Sequence, residues 1–97
     1  MSTALEPIQT RYLRDEAFVG LLNAIVSGHL APGSPLVISD VAASFGLSSM
    51  PVREAFKRLV VEGLVEELPR RAHRVAPLTP ETALDVLEIA RTLMIRA

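Results

Sequence analysis

The chain has no cysteine, so disulfide frameworks and thiolate metal sites are excluded. It has only two histidines, His29 and His73. Neither has a nucleophile close by in sequence, and the two cannot form the HxxxH spacing that puts a pair of imidazoles on one helical face. There is no Gly-rich phosphate loop either, so no catalysis and no cofactor are expected in this chain. No apolar run approaches the ~20 residues that span a bilayer, and the N-terminus lacks a signal-peptide pattern. A soluble, most simply cytoplasmic protein with no membrane partner is expected. Nor is there a strong charge of one sign: the formal net charge is −1, which alone argues mildly against nucleic acid as a partner.

The 97 residues suffice for one small domain, and 49% hydrophobic content supports a modest core. The distribution of charge says more than its sum. Six of the ten basic residues, Arg53, Lys57, Arg58, Arg70, Arg71 and Arg74, fall between positions 53 and 74. With Glu54, Glu62, Glu66 and Glu67 included, that window carries an excess of +2 and the rest of the chain −3. A local basic face on a neutral body suits docking to an anionic partner.

The stretch 37–75 organises the chain. Pro51 has a fixed φ and no N–H, so it fits the first turn of a helix, where N–H groups lack intrahelical partners. Ser48 and Ser49 precede it with hydroxyls suited to capping those donors. Val52, Ala55, Phe56, Leu59 and Val60 recur at helical spacing and predict an apolar stripe. Met50, Arg53, Glu54 and Lys57 lie roughly opposite, with Ser49 at the border. Upstream, Ser39 is placed to cap a shorter helix with Val41, Ala42 and Phe45 inside and Ile38 just ahead of it. Gly46 stands where such a helix ends in a left-handed residue. Two short helices joined by a tight Gly-containing turn make a helix-turn-helix, whose second helix enters the DNA major groove. Gly63 is placed to end the second helix. Residues 64–68 and 73–76 then predict two strands joined at Pro69-Arg70-Arg71-Ala72, a wing.

The segments Gly28-x-Leu30-x-Pro32-Gly33-x-x-Leu36, Gly46-Leu47-Ser48-x-x-Pro51-Val52-Arg53-Glu54-Ala55, Arg58-Leu59 and Glu62-Gly63-Leu64-Val65 resemble the winged-helix domain of GntR-type bacterial transcription regulators. The resemblance covers about residues 12–76. It implies a double-stranded DNA operator as partner, half-sites read by the second helix and the wing, and a homodimer in the full-length protein. The residues it points to for DNA contact are Ser39, Ser48, Ser49, Met50, Arg53, Lys57, Arg70, Arg71 and His73. Arg53 is suited to a bidentate bond with guanine, and Lys57, a turn later, to phosphate. Met50 can pack in the turn or touch a thymine methyl, and Ser48 can cap or meet a phosphate at the helix N-terminus. Glu54 is expected to be a structural partner, because phosphates would repel it. A solvated charged loop is the plainer reading of Arg70, Arg71 and His73.

The chain departs from the family pattern at two of these places and at the wing tip. Relatives usually carry arginine where Ser49 stands, and some carry arginine in place of Ser39. Ala72 replaces the usual wing glycine, and alanine strains a left-handed turn by ~1 kcal/mol, so a different turn type is expected.

Ahead of this region, residues 1–10 read as a flexible lead-in. An amphipathic helix is predicted from Thr10 or Arg11 to Ser27, burying Leu13, Ala17, Phe18, Leu21, Leu22, Ile25 and Val26. Phe45, Phe56 and Leu59 are expected to meet Leu21, Leu22 and Ile25 in one core. The turn cluster 31–35 follows, and Leu36-Val37 is placed to pair with the wing as an edge strand. After the wing, Thr79-Pro80-Glu81 opens another helix, with Val86, Ile89, Ala90 and Leu93 on one side. Its stop at Ala97, without cap or glycine, reads as a cut.

Residues 84–97 are similar to the first helix of the FCD-type effector domain of the FadR-like branch, with Arg91 at that helix's usual arginine and Met94-Ile95 in place of Leu-Glu. This resemblance implies a small-molecule effector, a small organic acid often with a metal, bound outside this chain. The expected fold is therefore mainly α with a small β wing: a lead-in at 1–10, a winged helix-turn-helix at 11–76, and at 77–97 a linker with the start of a helical C-terminal domain. Two alternatives stay open: a winged helix used for protein contact without DNA, and a different C-terminal domain, such as an aminotransferase-like one.

Overall fold

Prolines and glycines punctuate the chain where helices begin and stop. The computed structural model describes residues 7–77, together with Leu84, Glu88, Ile89, Arg91 and Thr92. Helix α1 runs Ile8–Val26. It starts earlier than expected because the Pro7 carbonyl accepts from the N–H groups of Thr10 and Arg11 at 3.1 and 3.3 Å. Residues 8–10 are thus its first turn and not part of a lead-in, while residues 1–6 lie outside the described residues. Ala17, Phe18, Leu21, Leu22 and Ile25 are buried. Leu13 is only half-buried and Val26 is 41% exposed, so the stripe is covered only where α1 faces the rest of the domain.

The turn at 31–34 leads into strand β1, Pro35–Leu36, and helix α2, Ile38–Phe45. Pairing of Leu36 with the wing holds Val37 extended, so the helix begins at once at Ile38. Ser39 therefore lies inside the first turn and does not cap it; the N-cap is Val37, which supplies no side-chain hydrogen bond. Gly46 closes α2 at φ 67°. Its N–H reaches Ala43 O at 3.3 Å, and that of Leu47 reaches Ala42 O at 2.9 Å, the paired bonds of a Schellman closure.

Helix α3, Ser49–Val61, follows directly. Ser48 occupies its N-cap with extended backbone, yet its hydroxyl makes no capping bond, and Ser49 is already helical. Val52, Ala55, Phe56 and Leu59 are buried as predicted, and α3 packs on α1. The same paired closure recurs at its end, with Gly63 at φ 79° and the Leu64 N–H 2.9 Å from Leu59 O.

Phe45 does not join this core. It is 38% exposed, and its ring covers Gly20 of α1 so closely that a Cβ there would stand 3.0 Å from it. Only Ala42 of α2 is buried, so the last turn of that short helix sits at the domain edge.

Strands β2, Val65–Leu68, and β3, Ala72–Val75, form the wing, with β3 in the middle of a three-stranded antiparallel sheet ordered β1-β3-β2. Leu68 pairs with Ala72 across a 3-10 turn at Pro69–Arg71. The left-handed residues are Arg70 and Arg71, at φ 64° and 61°, while Ala72 is extended. Ala72 thus carries no left-handed strain, and the positive-φ positions are the two arginines before it. Downstream, Leu84, Glu88, Ile89, Arg91 and Thr92 are helical, and Ile89 packs against the core. The expected helix opening at residues 79–81, and Val86, Ala90 and Leu93, lie outside the described residues.

Candidate nucleic-acid interface

Helix α3 buries one side against α1 and leaves the other to solvent. Ser49, Met50, Arg53 and Lys57 are exposed on it, Met50 by 59%. Glu54 is half-buried beside them and sits 3.8 Å from the Lys57 ammonium, the structural partner expected of it. Between α3 and the wing lies a groove of about 490 Å³ lined by Arg53, Lys57 and Val61 from α3 and Glu67, Arg71 and His73 from the wing. It adjoins a cleft of about 360 Å³ where Arg53 and Arg71 face Val37 and Ser39. Ser39 is thus brought to the same face as Arg53, although it caps nothing. Ser48 is exposed at the start of α3.

The basic cluster of the sequence divides in two. Arg58 turns to α1, its guanidinium 3.9 Å from the centre of the Phe18 ring and 3.6 Å from Asp15, a cation–π contact with an ion pair behind it. Arg74 donates to Glu66, its partner across the strands, at 2.5 Å. These two cations are engaged with the domain itself. Arg53, Arg70 and Arg71 form no ion pair with another described residue. The docking face is therefore smaller than the six basic residues implied, and among the described residues its arginines have no carboxylate partner.

His73 is placed unlike the wing arginines. Its side chain is only 9% exposed, its ring meets Phe56 edge-on at 5.0 Å, and Nε2 lies 3.6 Å from Glu67. It joins the wing to α3. The period of two along β3, which turns His73 and Val75 inward and Ala72 and Arg74 outward, was the signal for this. Among the described residues no group of three His, Asp or Glu could hold a metal, and no helix is long and apolar enough to cross a membrane.

Two helices in a tight turn, a hairpin wing and a groove between them with unpaired arginines on both walls describe a winged helix-turn-helix. The sequence profile described as "Bacterial regulatory proteins, gntR family" matches residues 13–75. The chain belongs to the GntR family. The HTH-type transcriptional repressor RspR of Escherichia coli is 36% identical over 75 residues, which are 77% of this chain and 32% of that protein. A probable D-xylose utilization operon transcriptional repressor of Paenarthrobacter nicotinovorans is 35% identical over 69 residues, 71% of this chain and 30% of its own length. A solved GntR-family regulator from Pseudomonas syringae pv. tomato superposes with a TM-score of 0.65 at 35% identity, over 81% of this chain and 33% of that one. The chain thus spans about a third of the length of these relatives.

Proposed function

We propose that this GntR-family chain docks on a double-stranded DNA operator, with α3 in the major groove and the wing on the flanking backbone, as part of a transcription repressor. The observation that carries this reading is the pair of guanidinium groups, Arg53 of α3 and Arg71 of the wing, that face the groove between them without an ion pair to another described residue. Arg53 addresses a base, Lys57 a phosphate, and Ser39, Ser48, Ser49 and Met50 line the approach. His73 supports the wing from beneath. Repression is inferred from the names of similar proteins such as RspR.

We propose that the winged-helix domain, expected at 11–76 and beginning with α1 at Ile8, is followed at 77–97 by the start of a second, helical domain similar to the FCD-type domain of the FadR-like branch. The helical placement of Leu84, Glu88, Ile89, Arg91 and Thr92 supports a helix there, and the match to only 32% of the length of RspR supports a further domain. In that branch the remainder would supply the homodimer contact and the site for a small-molecule effector, a small organic acid with or without a metal.

Fluorescence anisotropy with a labelled duplex tests the DNA reading. The logarithm of the binding constant should fall linearly with the logarithm of salt concentration, by roughly 0.9 for each phosphate engaged. Absence of any salt-dependent binding between about 50 and 200 mM salt would favour a winged helix that meets protein instead.

A further inference from the structure

Arg70 and Arg71 adjoin in sequence and part in space. Both have left-handed backbones, φ 64° and 61°, a conformation uncommon for residues with a Cβ. Of the two, Arg71 borders the large groove with Arg53 and Lys57, and the smaller cleft with Arg53; Arg70 borders neither. The smaller cleft has no carboxylate in its walls. Glu54 sits by Lys57 and Glu66 by Arg74, while Glu67 borders the adjoining groove 3.6 Å from His73 and does not enter the smaller cleft. Two guanidinium groups from different elements therefore face one cleft without a counter-charge, and an anion between them replaces repulsion by attraction.

We propose that Arg53 and Arg71 together seat one backbone phosphate of the operator in this cleft, beside the base pair that Arg53 addresses, while Arg70 meets the backbone independently. A bidentate bond to guanine uses two of the five N–H donors of Arg53, which leaves donors for the phosphate. A phosphate fixed there sets the register in which Arg53 meets its base, so Arg71 becomes a positioning residue for sequence readout. The inference rests on the DNA reading above.

The test is a pair of double-mutant cycles on the full chain. The probes are the duplex that the wild-type chain enriches from a randomised pool and a scrambled duplex, followed by anisotropy at fixed salt. Arg71→Ala should weaken binding to the enriched duplex more than to the scrambled one, whereas Arg70→Ala should weaken both alike. The Arg53→Ala/Arg71→Ala double variant should lose at least about threefold less than the product of the single losses, and the Arg53→Ala/Arg70→Ala losses should multiply to within about twofold. Arg71→Lys keeps the charge without the planar fork and should recover affinity for the scrambled duplex but not the coupling to Arg53. Losses that multiply for Arg53 and Arg71, with a clear loss for Arg53→Ala alone, would overturn the shared phosphate and leave the DNA reading standing. Failure to enrich any duplex would overturn both.

Discussion

At position 49 a serine stands where α3 faces solvent, one helical turn ahead of Arg53. On the proposed docking the two address neighbouring base pairs, and they differ in what they can distinguish. Arginine bonds guanine through O6 and N7 together, while serine donates or accepts singly and discriminates poorly. Arg53→Ala should therefore cost ~1–3 kcal/mol of binding, and Ser49→Arg should tighten binding or shift the preferred neighbouring base. Anisotropy on one duplex at matched salt measures both. Stability and binding should part company at Arg71. Its left-handed backbone costs ~1–2 kcal/mol, so Arg71→Gly should raise the urea midpoint while weakening DNA binding. A lower midpoint would show that the turn is not strained.

The three phenylalanines show how elements meet. Phe18 and Phe56 are fully buried between α1 and α3, while Phe45 covers Gly20 from the edge. Phe56→Ala should cost ~3–5 kcal/mol, a large share of the stability of a domain this size, and Phe45→Ala distinctly less, both read from urea midpoints. Equal shifts would place the edge of α2 in the core after all. Much of this layout was legible in the sequence because its signals are local. Pro51 marks a first helical turn, Gly46 and Gly63 mark left-handed closures, and the spacing of Val52, Ala55, Phe56 and Leu59 marks a face. The misreadings concern partners at a distance. Periodicity says which side of α2 Phe45 is on, but not that Gly20 leaves a slot for it on α1. The sequence predicts the edge strand at Leu36-Val37, whereas β1 ends at Leu36 and leaves Val37 as the N-cap, so Ser39 falls inside the helix. Similarly, Arg58 and Arg74 counted towards the basic face until Asp15, Phe18 and Glu66 were seen beside them, and His73 looked exposed until the register of β3 turned it onto Phe56.

For the whole molecule, the decisive quantity is how many half-site readers act together. A palindromic operator rewards two linked domains by avidity without any new contact. Since the chain spans about a third of the length of RspR, and the dimer contact is proposed to lie in the remainder, the 97-residue chain should be mainly monomeric and bind weakly. A version extended to the length of such relatives should bind the same duplex more tightly at the same salt. Equal affinity for the two would mean that dimerisation adds nothing or already resides in this chain.

Selection of bound DNA from a randomised duplex pool, run in parallel on the wild-type chain and on Arg53→Ala, tests the proposed interface most directly. If the exposed face of α3 reads the operator, the wild type enriches a defined half-site motif and Arg53→Ala loses preference at one position of it while the rest of the motif persists. An identical motif from both chains would contradict this, and would place base recognition somewhere other than the solvent-facing side of α3.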